Sequence, residues 1–100
     1  MGRLELQTLF EGILGSKNVY FQAPATTLMK YPAIRYSLSK IKSKRADNRR
    51  YTKETAYQVI LIDKNPESPY VQSLLNIKYC EFDRAYTAEN LNHFSFIITI

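Results

Sequence analysis

One histidine and one cysteine bound the chemistry this chain can perform. His93 stands beside Asn92 at the start of an apolar run, and Cys80 alternates in phase with Phe82 and Tyr86. A cysteine nucleophile needs a base within reach and surroundings that lower its pKa. A thiol in phase with aromatic residues points into a core instead, where it is inert. A zinc site needs three or four ligands at recognisable spacing, and neither residue has such neighbours in the sequence. Gly2, Gly12 and Gly15 are the only glycines, too few for a loop that cradles phosphate. Glu81 and Asp83 stand two apart and share one face of a strand. Such a pair serves acid/base catalysis or holds magnesium when it is desolvated. Nothing around it in the sequence signals desolvation, so a solvated or ion-paired face is expected. The expectation is a protein with no catalytic residue, no cofactor and no metal.

Charge offers a stronger signal. The chain has 14 Lys and Arg against 9 Asp and Glu, a net charge of +5. Seven of the basic residues fall in one stretch: Lys40, Lys42, Lys44, Arg45, Arg49, Arg50 and Lys53. Within that stretch Asp47 is the only acid, so the remainder carries seven basic and eight acidic residues and is almost neutral. A local basic run can contact phosphates, with Tyr51 beside Arg49 and Arg50 adding a stacking surface. It can equally be a solvated loop. A third use is an interface in which the run meets Glu81, Asp83 and Glu89 on a neighbouring copy. That contact joins two different patches of one molecule, so it closes into a ring or runs on as a filament.

These groups need elements to position them. Leu6, Phe10 and Ile13 recur at helical spacing within Arg3 to Leu14, and Gly15 follows where a left-handed cap belongs. Asn18 to Gln22 reads as a short strand. Pro24 and Pro32 bracket an irregular connection, after which Ala33 to Ser39 alternates as a half-buried strand. The basic run then reads as a long loop or hairpin tip around Ala46-Asp47-Asn48. Tyr51 to Asp63 is the longest strand expected, and its apolar Val59-Ile60-Leu61-Ile62 suits a central strand covered on both faces, or once by the domain and once by a neighbour. Ser68 is placed to cap a second helix with Pro69 at its first position and Val71, Leu74 and Leu75 as its stripe. Tyr79 to Thr87 and Asn92 to Ile100 read as two more strands, joined by a turn at Ala88-Glu89-Asn90. The expected fold is one α+β domain over residues 1–100. It has a mostly antiparallel sheet, an N-terminal helix, and a second helix inserted before the last two strands.

One hundred residues at 45% hydrophobic content suit one globular domain with a modest stability margin. Apolar runs are far too short for a membrane helix. The interrupted N-terminal segment is not expected to act as a secretory signal, and a single cysteine suits synthesis in a reducing compartment. Eight tyrosines and five phenylalanines exceed what the core needs: Tyr20, Tyr31, Tyr51, Tyr57, Tyr70 and Tyr79 cannot all be interior. Aromatic residues are enriched at interfaces, which favours an assembling subunit.

Several segments resemble small tailed-bacteriophage proteins of the tail-terminator or head–tail joining type. They are Val19-Tyr20-Phe21-Gln22-Ala23-Pro24, Met29-Lys30-Tyr31-Pro32-Ala33-Ile34, Ala46-Asp47-Asn48, Tyr57 to Pro66, and Phe82 to His93, in that order. The resemblance implies a virion structural protein assembled in the bacterial cytoplasm. Such a protein is one subunit of a ring, commonly hexameric, that ends the tail tube and joins it to the head connector. Its implied partners are other copies of itself, the tube protein, the connector or stopper protein, and DNA passing through the channel. No enzyme activity and no membrane contact are implied. The competing reading is a small basic nucleic-acid-binding protein, which rests on Lys40 to Lys53.

Overall fold

A computed structural model describes residues 2–24, 28–46 and 50–100, with residues 42–46 and 50–53 described as backbone only. The elements follow in the order α1 (Arg3–Leu14), β1 (Val19–Phe21), β2 (Ala33–Ala46), β3 (Arg50–Asp63), α2 (Tyr70–Leu75), β4 (Cys80–Ala88) and β5 (Leu91–Thr99). The five strands form one sheet in the order β1-β2-β3-β5-β4. Only β1 and β2 run parallel, and every other neighbouring pair is antiparallel. This is the expected α+β architecture.

The core lies on the helix side of the sheet. Leu6, Phe10 and Leu14 recur every four residues along α1 and are buried, because that spacing brings them to one face. They pack with Ile34 and Tyr36 of β2, Val59 and Leu61 of β3, Phe96 and Ile98 of β5, and Leu74 of α2. Tyr36 is the largest of these. Its ring meets Phe10, Phe21 and Tyr57 at centroid distances of 5.3, 4.9 and 6.0 Å. Its hydroxyl donates to Gln7 Oε1. Gly15 closes α1 at φ 68°, and its N–H bonds the carbonyl of Glu11. No Cβ penalty applies there, which is why glycine serves.

Because β3 lies between β2 and β5, its apolar stretch is enclosed as its composition requires. Val59 and Leu61 are buried under the helices, and Ile62 is buried on the opposite face. Residues 28–31 border that second face: Leu28, Met29 and Tyr31 line a concavity with Arg35, Ile62, Tyr86 and His93.

Four local expectations are corrected. First, of the two readings of the basic run the hairpin holds and the loop does not, and its strands reach further into the run than expected. β2 continues as strand to Ala46, and β3 begins at Arg50, in register from Lys40↔Ala56 to Ala46↔Arg50. The two strands satisfy each other's backbone groups as a continuation of the ladder already anchored in the five-stranded sheet. Second, Ser68 does not cap α2. Pro69 holds the N-cap position, and the Ser68 hydroxyl is buried without a hydrogen-bond partner. Third, a bulge between Phe82 and Arg84 shifts the phase of β4. One inserted residue moves every later side chain to the opposite face. Tyr86 therefore pairs with His93 away from the helices rather than joining Cys80 and Phe82. Fourth, Phe82, expected in the core, is 48% exposed, since β4 is the edge strand and nothing covers its outer side. Ile13 and Phe94 are only partly buried against the core.

Candidate interaction surface

β3 pairs with β5 from Ala56 to Asp63, with one further pair of backbone hydrogen bonds joining Thr55 to Ile100. Beyond that point, among the described residues, β2 and β3 pair only with each other. The result is a two-stranded arm running past the end of the five-stranded body, and the molecule's long axis of 51 Å against 27 and 23 Å reflects it. The arm carries Lys40, Lys42, Lys44, Arg45, Arg50 and Lys53. Lys40 is exposed at its base. The side chains of Lys42, Lys44, Arg45, Arg50, Tyr51 and Lys53 lie outside the described residues, as do Asp47, Asn48 and Arg49 altogether. The turn expected at Ala46-Asp47-Asn48 therefore falls mostly outside them too, with Ala46 the last residue of β2.

The second bulge of the sheet lies between Leu38 and Lys40 in β2. It sets the register from which Lys40 faces away from the helices and Ile41 towards them, opposite Ala56 and Thr55 respectively. Ile41 is 57% exposed. A concavity at the arm's base, on the face away from the helices, is lined by Ser39, Lys40, Glu54, Ala56, Glu81, Ile97 and Thr99. Tertiary structure thus brings Lys40 and Glu81, far apart in sequence, to one hollow. It adds Glu54, which belongs to no acidic cluster in the sequence and is identified only by the hairpin register.

The three acidic candidates do not form one patch. Glu81 is exposed beside the arm. Asp83, at the bulge, accepts a hydrogen bond of 3.1 Å from the buried Ser95 hydroxyl, which in turn accepts from Gln58 Nε2 at 3.4 Å. The Arg84 guanidinium stands 4.0 Å from the same carboxylate, the one ion pair among the described residues. Glu81 and Asp83 share the face expected of them. Glu89 stands at the other end of β4, in the turn to β5, with φ 52°. There it lines the concavity of Tyr31, Arg35, Tyr86 and His93.

Cys80 and His93 are separated. Cys80 pairs with Ile98 on the helix side, whereas His93 pairs with Tyr86 on the other face, five positions along β5. The His93 ring stacks on Tyr86 at 4.9 Å, with Nδ1 3.2 Å from the Leu91 carbonyl. Burial pushes the Cys80 thiol up to about 11, with the Glu81 charge adding to the shift. Burial also raises the Tyr36 phenol, against the opposing hydrogen bond and charge of Arg3.

The surplus aromatics divide as their number demands. Tyr36 and Tyr57 are buried, Tyr20 and Tyr70 are half-buried, and Tyr31 and Tyr79 are exposed, Tyr79 by 68%. Tyr79 and Phe82 flank Cys80 and Glu81 along the free edge of the sheet. No protein-family model matches the chain, and no curated protein matches it in sequence.

Proposed function

We propose that this protein is a structural subunit of a tailed-bacteriophage particle, a tail terminator or neck ring of commonly hexameric form. Its copies close into a ring that ends the tail tube and meets the head connector, and it acts in the virion after assembly in the host cytoplasm. The observation that carries the reading is the β2–β3 arm. It runs beyond the body of the fold and holds seven of the chain's fourteen basic residues if its tip is included. Such a projection reaches a neighbour, and the rest of the chain is nearly neutral. The element order also suits the family that the segments named above resemble, and exposed Tyr79 and Phe82 suit a surface that is covered on assembly. In this reading the chain binds other copies of itself, the tube protein and the connector, and it performs no reaction. DNA in the channel meets it only through phosphates, which carry no base information.

The arm also favours a second reading. A basic two-stranded ribbon fits the major groove of duplex DNA, so a monomeric DNA-binding protein would use the same feature. Light scattering after gel filtration and electron microscopy of the chain, alone and mixed with its polymerised tube protein, distinguish the two. The expected result is a ring, free or seated at tube ends. A persistent monomer that ignores tubes and binds duplex DNA with a steep salt dependence overturns the ring reading.

A further inference from the structure

We infer that copies join head to tail by antiparallel pairing between β4 of one copy and the arm segment Lys40–Ala46 of β2 in the next. The inference rests on the ring reading above and names the contact that would close the ring. Two free edges motivate it. On one side of the sheet, β1 covers β2 only at Ile34–Tyr36, and the Gln22 N–H and side chain extend that cover to Leu38. From Lys40 onward, the outer edge of β2 has no strand beside it among the described residues. On the opposite side, β4 pairs with β5 alone. An open edge presents a row of unmatched N–H and C=O groups that a second strand can take up.

Complementarity selects the occupant. Lys40 and Glu81 both stand on the face away from the helices, while Ile41 and Phe82 both stand on the helix face, each about half exposed. A sheet continued from β4 into a neighbouring arm keeps each face continuous. Basic residues of the arm then share one face with Glu81, and Ile41 extends the apolar helix face on which Phe82 stands. Lys42 and Lys44 follow Lys40 at two-residue steps in the register. Natural edges are commonly blunted by lysine, proline or a bulge; β4 contains neither lysine nor proline, and its one bulge lies between Phe82 and Arg84. The basic arm repels a second arm, whereas β4 carries a net −1 from Glu81 and Asp83 against Arg84, so charge favours the unlike pairing over arm with arm.

Geometry sets the direction. Across β3 and β5, β2 and β4 run antiparallel within one copy. Rotation about an axis along the strands preserves strand direction, so β4 and the next arm also meet antiparallel. Cys80, the first residue of β4, stands level with Leu38 through Ile98 and Tyr57, so the arm begins just past it. Strands in a closed ring tilt and stagger, which slides the arm along β4. At about 3.3 Å per residue, the free part of β2 spans roughly 23 Å and fits within β4.

Cysteine scanning tests the contact. In a Cys80→Ser background, one set of variants carries a cysteine at position 40, 42 or 44, and another carries one at 81, 84 or 86. Variants that keep the parent's thermal transition are mixed in pairs, one from each set, oxidised and run without reductant, with light scattering on the same samples. Disulfide-linked dimers are expected only in mixtures, along one register in which the β4 position falls as the arm position rises. Glu81→Lys is expected to weaken self-association about tenfold or more, and a Lys→Glu change at the arm position that cross-links to 81 is expected to restore it. Scattered or absent cross-links in a protein that forms rings overturn this contact and leave the ring reading intact. Cross-links in register within open chains support the contact and overturn ring closure. A monomer at every concentration and at tube ends overturns both.

Discussion

Replacing residues 42–54 with Asn-Gly between Ile41 and Thr55 removes the arm where its two strands still face each other in register. A two-residue Asn-Gly turn matches the twist of the flanking strands, so the shortened hairpin can close. Every buried core residue among those whose side chains are described lies outside the deleted stretch. An isolated two-stranded ribbon is marginally stable, so its loss contributes little. The connection shrinks from thirteen residues to two, which favours the variant by about 1.5 kcal/mol of closure entropy. The opposing terms leave the variant within about 2 kcal/mol of the wild type, with a melting temperature moved by at most roughly 15 °C. Urea denaturation followed by circular dichroism, at a concentration where the chain is monomeric, measures this. Six basic and two acidic residues leave with the arm, taking the net charge from +5 to +1. Ring assembly should vanish while the fold persists. A variant that fails to fold, or one destabilised by more than about 4 kcal/mol, would refute the separation of arm from body, because the arm would then be packed against it.

The core makes further predictions. Tyr36→Phe should cost about 1 kcal/mol by removing the bond to Gln7, while Tyr36→Ala should cost about 3–5 kcal/mol by emptying the aromatic cluster; equal costs in denaturant titrations would contradict this division. Leu61→Ala, at a fully buried position of the central strand, should cost about 2–5 kcal/mol, and a loss under half a kcal/mol would show that the site can collapse or is not core. Deleting residues 96–100 removes the fully buried Phe96 and Ile98 and should leave no cooperative melting transition. Cys80 titrates near 11 when folded against an ordinary 9.0, so the folded state binds more protons between those values. Its contribution is therefore constant below about pH 9 and is lost as pH rises towards 11; the wild type should lose more stability over that window than Cys80→Ser, and equal losses would remove burial as the cause.

Local pattern was enough to read the element order, because helical and alternating spacings are written in neighbouring residues. Leu6 and Phe10 place α1 on the core, and Val59 to Ile62 mark a central strand. The Arg3–Leu14 bounds and the Gly15 cap follow from the same short-range chemistry. Other features depend on partners distant in the chain. The basic run reads as a loop or hairpin tip because it lacks apolar anchors, and the pairing of β2 with β3 decides for the hairpin. The bulge beyond Phe82 is a mismatch between β4 and β5, so no property of β4 alone reveals that Tyr86 changes face. Phe82 is exposed because β4 is an edge strand, and an edge is a fact of strand order. Residue types and their charges were legible from the sequence alone. Only the sheet, by placing β2 and β4 on opposite sides, decided that Lys40 and Glu81 line one hollow and that two unlike edges stand open.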